Sequence, residues 1–343
     1  MSIQSRINND AVGTPPELGT KQVGRGAKIG MAVLTLAILI PPFVTTSLEL
    51  TKLSRLAVLV LAVLGVNLLT GYTGLISLGH GVFVGVGAFA MANFIDQGLS
   101  LYIAGFLATI FTGLIGLILG LPALRVRGLY LALVTFGTAL AFPPFARRLG
   151  TWTGGVSGRN VDNDAFVPPA FLRLDDHVHV WRYGICIAVV ALWFVIIRNL
   201  VDSRMGRALR TVRDNESAAA TFGISVRYAK AGALAISAAM TGTAGVLQAI
   251  LNPYISHADF DSFLSLRLYA AAVIGGLGTL AGAIYGVLAL IVVPAVNGAL
   301  ELLDSDAIVF GAGLIIMTFV APTGIAGLFE GRGRGKSSTP WRV

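Results

Sequence analysis

Charge is scarce in this chain: Asp, Glu, Lys and Arg make up 12% of its 343 residues, against 55% for the apolar types. A soluble domain carries about twice that share of charge, so a water-soluble fold is excluded. There is one cysteine, Cys186, which excludes an intramolecular disulfide. The long apolar runs also lack ionisable residues in their centres. Glu49, Lys52, Asp96 and Arg182 all fall at run ends. Buried charges mark proton relays, ion coupling and intramembrane catalysis, so a proton-driven carrier and a membrane-embedded enzyme both lack their machinery. A sodium site built from backbone carbonyls stays open. No catalytic residue, cofactor or metal is expected. What fits is a passive pore, or a transporter whose energy arrives from another subunit.

What is abundant is apolar sequence, with mean hydropathy +0.79, and glycine, at 42 residues. Glycine lets membrane helices approach closely. The expected fold is all-α and polytopic. A helix needs roughly 20 apolar residues to cross the hydrocarbon, and the candidate runs are 29–48, 53–69, 82–95, 99–121, 129–145, 181–197, 229–251, 283–300 and 308–328. A short run at 266–274 precedes "GGLGTLAG" and counts as a tenth, glycine-broken element. Net charge is +8, but the basic residues sit at loop ends, which points to orientation in a bilayer and not to nucleic acid. Lys21, Arg25 and Lys28 place the N-terminus in the cytoplasm, and ten crossings return Arg332, Arg334, Lys336 and Arg342 there. The layout predicted is a disordered cytoplasmic tail at 1–28, a transmembrane domain at 29–328 and a basic cytoplasmic tail at 329–343. Within the domain, 146–180 is an extracytoplasmic loop and 198–230 a cytoplasmic one.

Two stretches resemble each other, "GYTGLISLGHGVFVGVGAF" at 71–89 and "AAAVIGGLGTLAGAIYGVL" at 270–288. Paired glycine breaks in two halves of a transporter point to a pathway between repeats. On that reading Asn67, Gly71, Tyr72, His80, Gly275, Gly276 and Gly278 line the path. The alternative is close helix packing, which Gly278, Gly282 and Gly286 at every fourth position also fit. "GRGRGKSS" near the C-terminus fails the phosphate-loop spacing, because Glu330 stands where the first glycine is needed. "GLGTLAG" at 276–282 lacks the strand and downstream acid of a dinucleotide site. His177 and His179 beside Asp175 and Asp176 read as an exposed charge cluster.

One charged segment interrupts the chain, "GRALRTVRDNESAAATFGI" at 206–224. It reads as a single cytoplasmic helix. Arg207, Arg210 and Arg213 form one stripe, Leu209, Val212, Ala219 and Phe222 an opposing apolar strip, and Gly223 the cap. An amphipathic helix resting on lipid has no need of small alanines followed by glycine. Small residues suit a protein groove.

The pattern Glu216-x-Ala218-Ala219-x-x-x-Gly223 resembles the EAA loop of ABC importer permeases, with one extra residue after the Glu. The surrounding wording, with "LPALRVRGLYLALVTFGTA" at 121–139, "TGGVSG" at 153–158 and "FVAPTGIAGL" at 319–328, is similar to branched-chain amino-acid permeases of the LivM type. The likeness covers roughly 54–328; the N-terminal tail is unmatched, and Phe136, Gly137 and Thr138 depart from the family wording. It implies that Arg207, Arg210, Arg213, Asn215, Glu216, Ala218, Ala219 and Gly223 couple the chain to an ATPase. It also implies two cytoplasmic ABC ATPase subunits, a second LivH-like permease, an extracytoplasmic binding protein, and residence in the bacterial inner membrane with both termini cytoplasmic. Urea and short-chain amide importers share this architecture and stay open as substrates. A stand-alone channel or ion-coupled carrier is the reading from another class.

Overall fold

The structure, a computed structural model, describes residues 45–123, 129–161, 177–300 and 324–330 with isolated positions at 41, 166, 168, 311 and 315. The helices considered below belong to one compact unit, Thr46–Val343. They are α1 (Ser47–Thr73), α2 (His80–Asp96), α3 (Leu101–Ala123), α4 (Leu129–Arg148) and the single turn α5 (Gly150–Thr153). After them come α6 (Val178–Asp202), α7 (Arg204–Asp214), α8 (Glu216–Thr221), α9 (Val226–Leu251), α10 (Ser262–Gly275), α11 (Leu280–Leu300) and α12 (Gly324–Glu330). Among the described residues the one departure from an all-α fold is a two-residue ladder. In it β1 (Arg159–Asn160) pairs antiparallel with β2 (Tyr254–Ile255).

α9 is the axis of the packing and touches α1, α2 and α3. Its sequence "GALAISAAMTGTAGVL" explains why: small residues let three other helices come within backbone contact. A Cβ on Gly245 would lie 1.9 Å from the Val84 carbonyl of α2, and one on Gly87 would lie 2.0 Å from the Gly242 carbonyl. Several threonine hydroxyls in this region donate back to their own helices, as Thr112 does to Ala108 and Thr241 to Ser237, each at 2.8 Å. Such a bond keeps the polar hydrogen off the apolar neighbours. By contrast, α3 turns Tyr102, Phe106, Ile110, Leu114 and Ile118 outward, all exposed and spaced by four residues. Such a stripe needs lipid or another apolar surface to cover it, and with four described helices apolar and long enough to cross a bilayer the chain is a multi-pass membrane protein.

Four described helices are long and apolar enough to cross a bilayer: α1, α3 over Leu101–Gly120, α6 and α9. A fifth arises if α10 and α11, bent by 119° at their break, form one span. The expected ten crossings are therefore not reached among the described residues. The runs 29–48 and 308–328 fall largely outside them, as do the tails 1–28 and 331–343. α2, at 17 residues, is a shorter apolar helix. Several helices outrun their apolar stretches, since a polar end can keep its backbone bonds once it leaves the hydrocarbon. α6 continues to Asp202 and α9 begins at Val226, so the loop expected at 198–230 contracts to 203–225. Likewise α4 reaches Arg148 and α6 starts at Val178, which trims the loop expected at 146–180.

Candidate functional site

The charged segment folds as two helices, not one. Ser203 caps α7 by accepting from the Met205 amide at 3.1 Å, and α7 then runs to Asp214. Asn215 breaks the run: its backbone is extended, with φ −161° and ψ 110°, and its side-chain oxygen accepts from the Ala218 amide at 3.0 Å. An Asn that can cap a new helix competes with continuation of the old one. The kink also corrects the apolar strip expected along one helix. Leu209, Val212 and Ala219 are buried, but Phe222 is 79% exposed. α8 stops at Gly223, whose φ of +77° closes the turn, and nothing lies within 4 Å of the direction a side chain there would take. Tyr228 is exposed as well. This end of the segment therefore presents an aromatic and a bare glycine outward. Glu216 faces inward, 2.5 Å from the buried Lys230 Nζ of α9.

The arginine stripe divides in the same way. Arg207 and Arg210 donate to carbonyls of the α6–α7 turn, those of Asp202 and Val201, both at 3.2 Å. Arg213 reaches out of its own hairpin. Its Nη1 donates to the Gly71 carbonyl at 2.8 Å, in the last turn of α1, while 40% of the side chain remains accessible.

That bond ends at the meeting point of the two glycine breaks. A Cβ on Gly71 would lie 2.2 Å from the Gly278 amide nitrogen, so the breaks after α1 and after α10 touch backbone to backbone. Asn67, fully buried in α1, ties them together. It accepts from the Gly278 amide at 2.7 Å and donates to the Thr279 carbonyl at 2.6 Å. Of the seven residues expected along a path, the structure thus brings Asn67, Gly71 and Gly278 into one junction. Gly275 and Gly276 sit at the tip between α10 and α11, where a Cβ on Gly275 would meet the Gly282 carbonyl at 1.8 Å. Tyr72 is buried in the apolar core. His80 is buried on the first turn of α2, with Nε2 2.7 Å from the Ser237 hydroxyl of α9. Ser237 in turn donates to the Gly65 carbonyl.

At the far end of α9 lies a cluster that sequence reasoning missed. Arg159, on β1, pairs with Asp96 at the end of α2 and donates to the Asn93 side chain at 2.7 Å and the Trp152 carbonyl at 3.0 Å. Tyr254 of β2 donates to the Ser157 carbonyl. The "TGGVSG" turn is thereby stapled over the helix ends. Arg159 was legible only as a loop charge, because its partners lie 63 and 66 residues away. Beside the cluster an apolar cavity of about 280 Å³ opens between α2, α3 and α4, lined by Phe89, Phe111, Phe142, Phe145 and Trp152 among others. Removing Arg159 leaves Asp96 and the Trp152 carbonyl without their shared donor. Arg159→Ala is expected to make the 149–161 turn cleavable by protease in detergent, well before the helices unfold. Limited proteolysis with mass mapping reads this directly, and a cleavage pattern matching the parent chain would contradict it.

The sequence matches the family described as branched-chain amino acid transport system / permease component over residues 50–318. The high-affinity branched-chain amino acid transport system permease protein LivM of Escherichia coli K12 is 30% identical over 285 residues, covering 76% of this chain and 66% of that protein. LivM of Salmonella typhimurium is 30% identical over 272 residues, covering 73% and 63%. LivH of Escherichia coli K12 is 27% identical over 289 residues, covering 78% and 90%. The chain thus spans just under two thirds of the length of these two LivM relatives. No solved structure matches it. The chain belongs to the permease-component family of branched-chain amino acid transport systems.

Proposed function

We propose that the chain is the membrane permease of an ATP-driven importer that carries branched-chain amino acids inward and performs no hydrolysis itself. Family membership supports the transport role. The observation that carries the energetic half is the segment α7–α8, folded at one end of the helix bundle with Phe222 and Gly223 facing outward and Arg213 bonded to the end of α1. An ABC ATPase docks on the outward side, in the cytoplasm of a bacterial cell, and the basic residues Lys21, Arg25, Lys28, Arg332, Arg334 and Lys336 support both chain termini lying there too. A second, LivH-like permease completes the pore, and an extracytoplasmic binding protein delivers substrate to the Arg159 end. Among the described residues the buried basic side chains are His80 and Lys230, and Lys230 is paired with Glu216.

Phe222→Asp tests the docking. The side chain touches little of its own chain, so the permease should still reach the membrane in normal amount. Loss of a buried aromatic anchor at an interface weakens binding by about 30-fold or more, and ATPase copurification should fall accordingly. Gly223→Arg should act in the same direction. Parent chain that brings down no ATPase, or that carries flux alone in proteoliposomes, would overturn the reading.

A further inference from the structure

We propose that Arg213 is the positioning residue that locks α7 to the joined glycine breaks, so that a push on α7 moves the Gly71–Gly278 junction as one body. The inference rests on the reading of α7–α8 as the ATPase-docking segment. The Arg213 side chain lies in a slot that two glycines, Gly74 and Gly278, leave open. Its Cγ sits 3.0 Å from where a Cβ on Gly74 would be, and its Nη1 sits 3.5 Å from where one on Gly278 would be. The same nitrogen holds the Gly71 carbonyl at 2.8 Å. That carbonyl belongs to the last turn of a helix, where main-chain oxygens lack intrahelical donors and a cation is favoured. One side chain therefore bonds the end of α1 and lies beside the turn between α10 and α11. Arg207 and Arg210, on the same helix, bond only their own hairpin. A competing route exists through apolar packing, since Leu209 of α7 clusters with Leu69 and Leu75. That contact can slide, whereas a hydrogen bond to backbone cannot do so without breaking.

The experiment uses the full complex of this chain with its ATPases, second permease and binding protein in proteoliposomes. Arg213→Ala should retain ATPase copurification but lose amino-acid uptake per ATP by about tenfold or more, the scale of one charge-assisted hydrogen bond. Arg213→Lys keeps one donor and should lose less. A covalent rescue separates positioning from general damage. A Cβ on Gly74 would lie 3.8 Å from the Arg213 Cβ, close to the usual disulfide spacing of about 3.8 Å. The pair Gly74→Cys with Arg213→Cys, in a Cys186→Ala background, should regain coupling when oxidised and lose it again on reduction. Gly74→Cys alone controls for strain at that left-handed position, φ +72°. The proposal is overturned if Arg213→Ala couples normally, which would leave the Leu209 route. It is equally overturned if Arg213→Ala sheds the ATPase, if the cysteine pair does not oxidise, or if the oxidised pair stays uncoupled. Parent complex without any ATPase would instead sink the docking reading, a separate result.

Discussion

Placing valine at Gly245 is expected to remove nearly all folded protein from the membrane. The position lies where α9 crosses α2, and the first added carbon alone would sit 1.9 Å from the Val84 carbonyl oxygen, 2.8 Å from its carbon and 2.9 Å from the Ala88 nitrogen. These are main-chain atoms of a helix, so no rotamer change can relieve the overlap. The two helices must separate, and separation opens the neighbouring contact of Gly87 with Gly242 as well. In lipid there is little hydrophobic force between helices, and close van der Waals contact is the larger part of what holds them. Overpacking costs about 1–3 kcal/mol where side chains can adjust, and more where backbone must move. Native stability is only about 5–15 kcal/mol in total. Gly184 on α6 is the matched control, because a Cβ there meets nothing within 4 Å. Size-exclusion of detergent extracts should show the Gly245→Val chain aggregated or absent and the Gly184→Val chain monodisperse. Equal monodisperse yields from the two would refute the packing account.

Helix positions were legible because apolar run length reports them directly, and the fold class follows from that. The charged segment was legible as a helical interruption by composition, but not in its shape. A single helical period carried across Asn215 assigns Phe222 to the buried face; the extended backbone at Asn215 resets the phase and turns Phe222 out. The roles within the arginine stripe were illegible for a different reason. Arg207 and Arg213 are equivalent by spacing, and only the arrival of Gly71, 142 residues away in sequence, distinguishes them. The glycine breaks were visible as interruptions. That they touch each other depends on the crossing of α1 with α10 and α11, which local pattern does not encode. Asn67 was legible as a polar residue in an apolar run, but its backbone partners, more than 200 residues away, were not. Its amide is engaged at both ends by main chain.

Asn67→Leu is therefore expected to weaken the fold before it touches transport. Leucine matches the side chain in size, so steric effects stay small and the change isolates the two hydrogen bonds. The Gly278 amide and the Thr279 carbonyl belong to a non-helical turn, and each loses its Asn67 partner. Asn67 is fully buried, while its partners Gly278 and Thr279 are part-buried. A buried backbone group left unsatisfied costs about 1–3 kcal/mol, and partial access to water holds each of these two to the low end, so the pair amounts to roughly 2 kcal/mol against a total stability of about 5–15 kcal/mol. Asn67→Asp keeps one acceptor for Gly278 but turns a second oxygen toward the Thr279 carbonyl, which forces either repulsion or protonation. It should lie near leucine in effect, despite being the closer analogue in shape. Thermal unfolding of the purified chain without substrate checks both variants, with midpoints expected several degrees below the parent. A residue that instead touched the proposed substrate would leave that midpoint unchanged and raise the substrate concentration needed for half-maximal uptake. Measuring the two quantities on one preparation decides between clamp and path, since the clamp moves the first without substrate present and the path moves only the second.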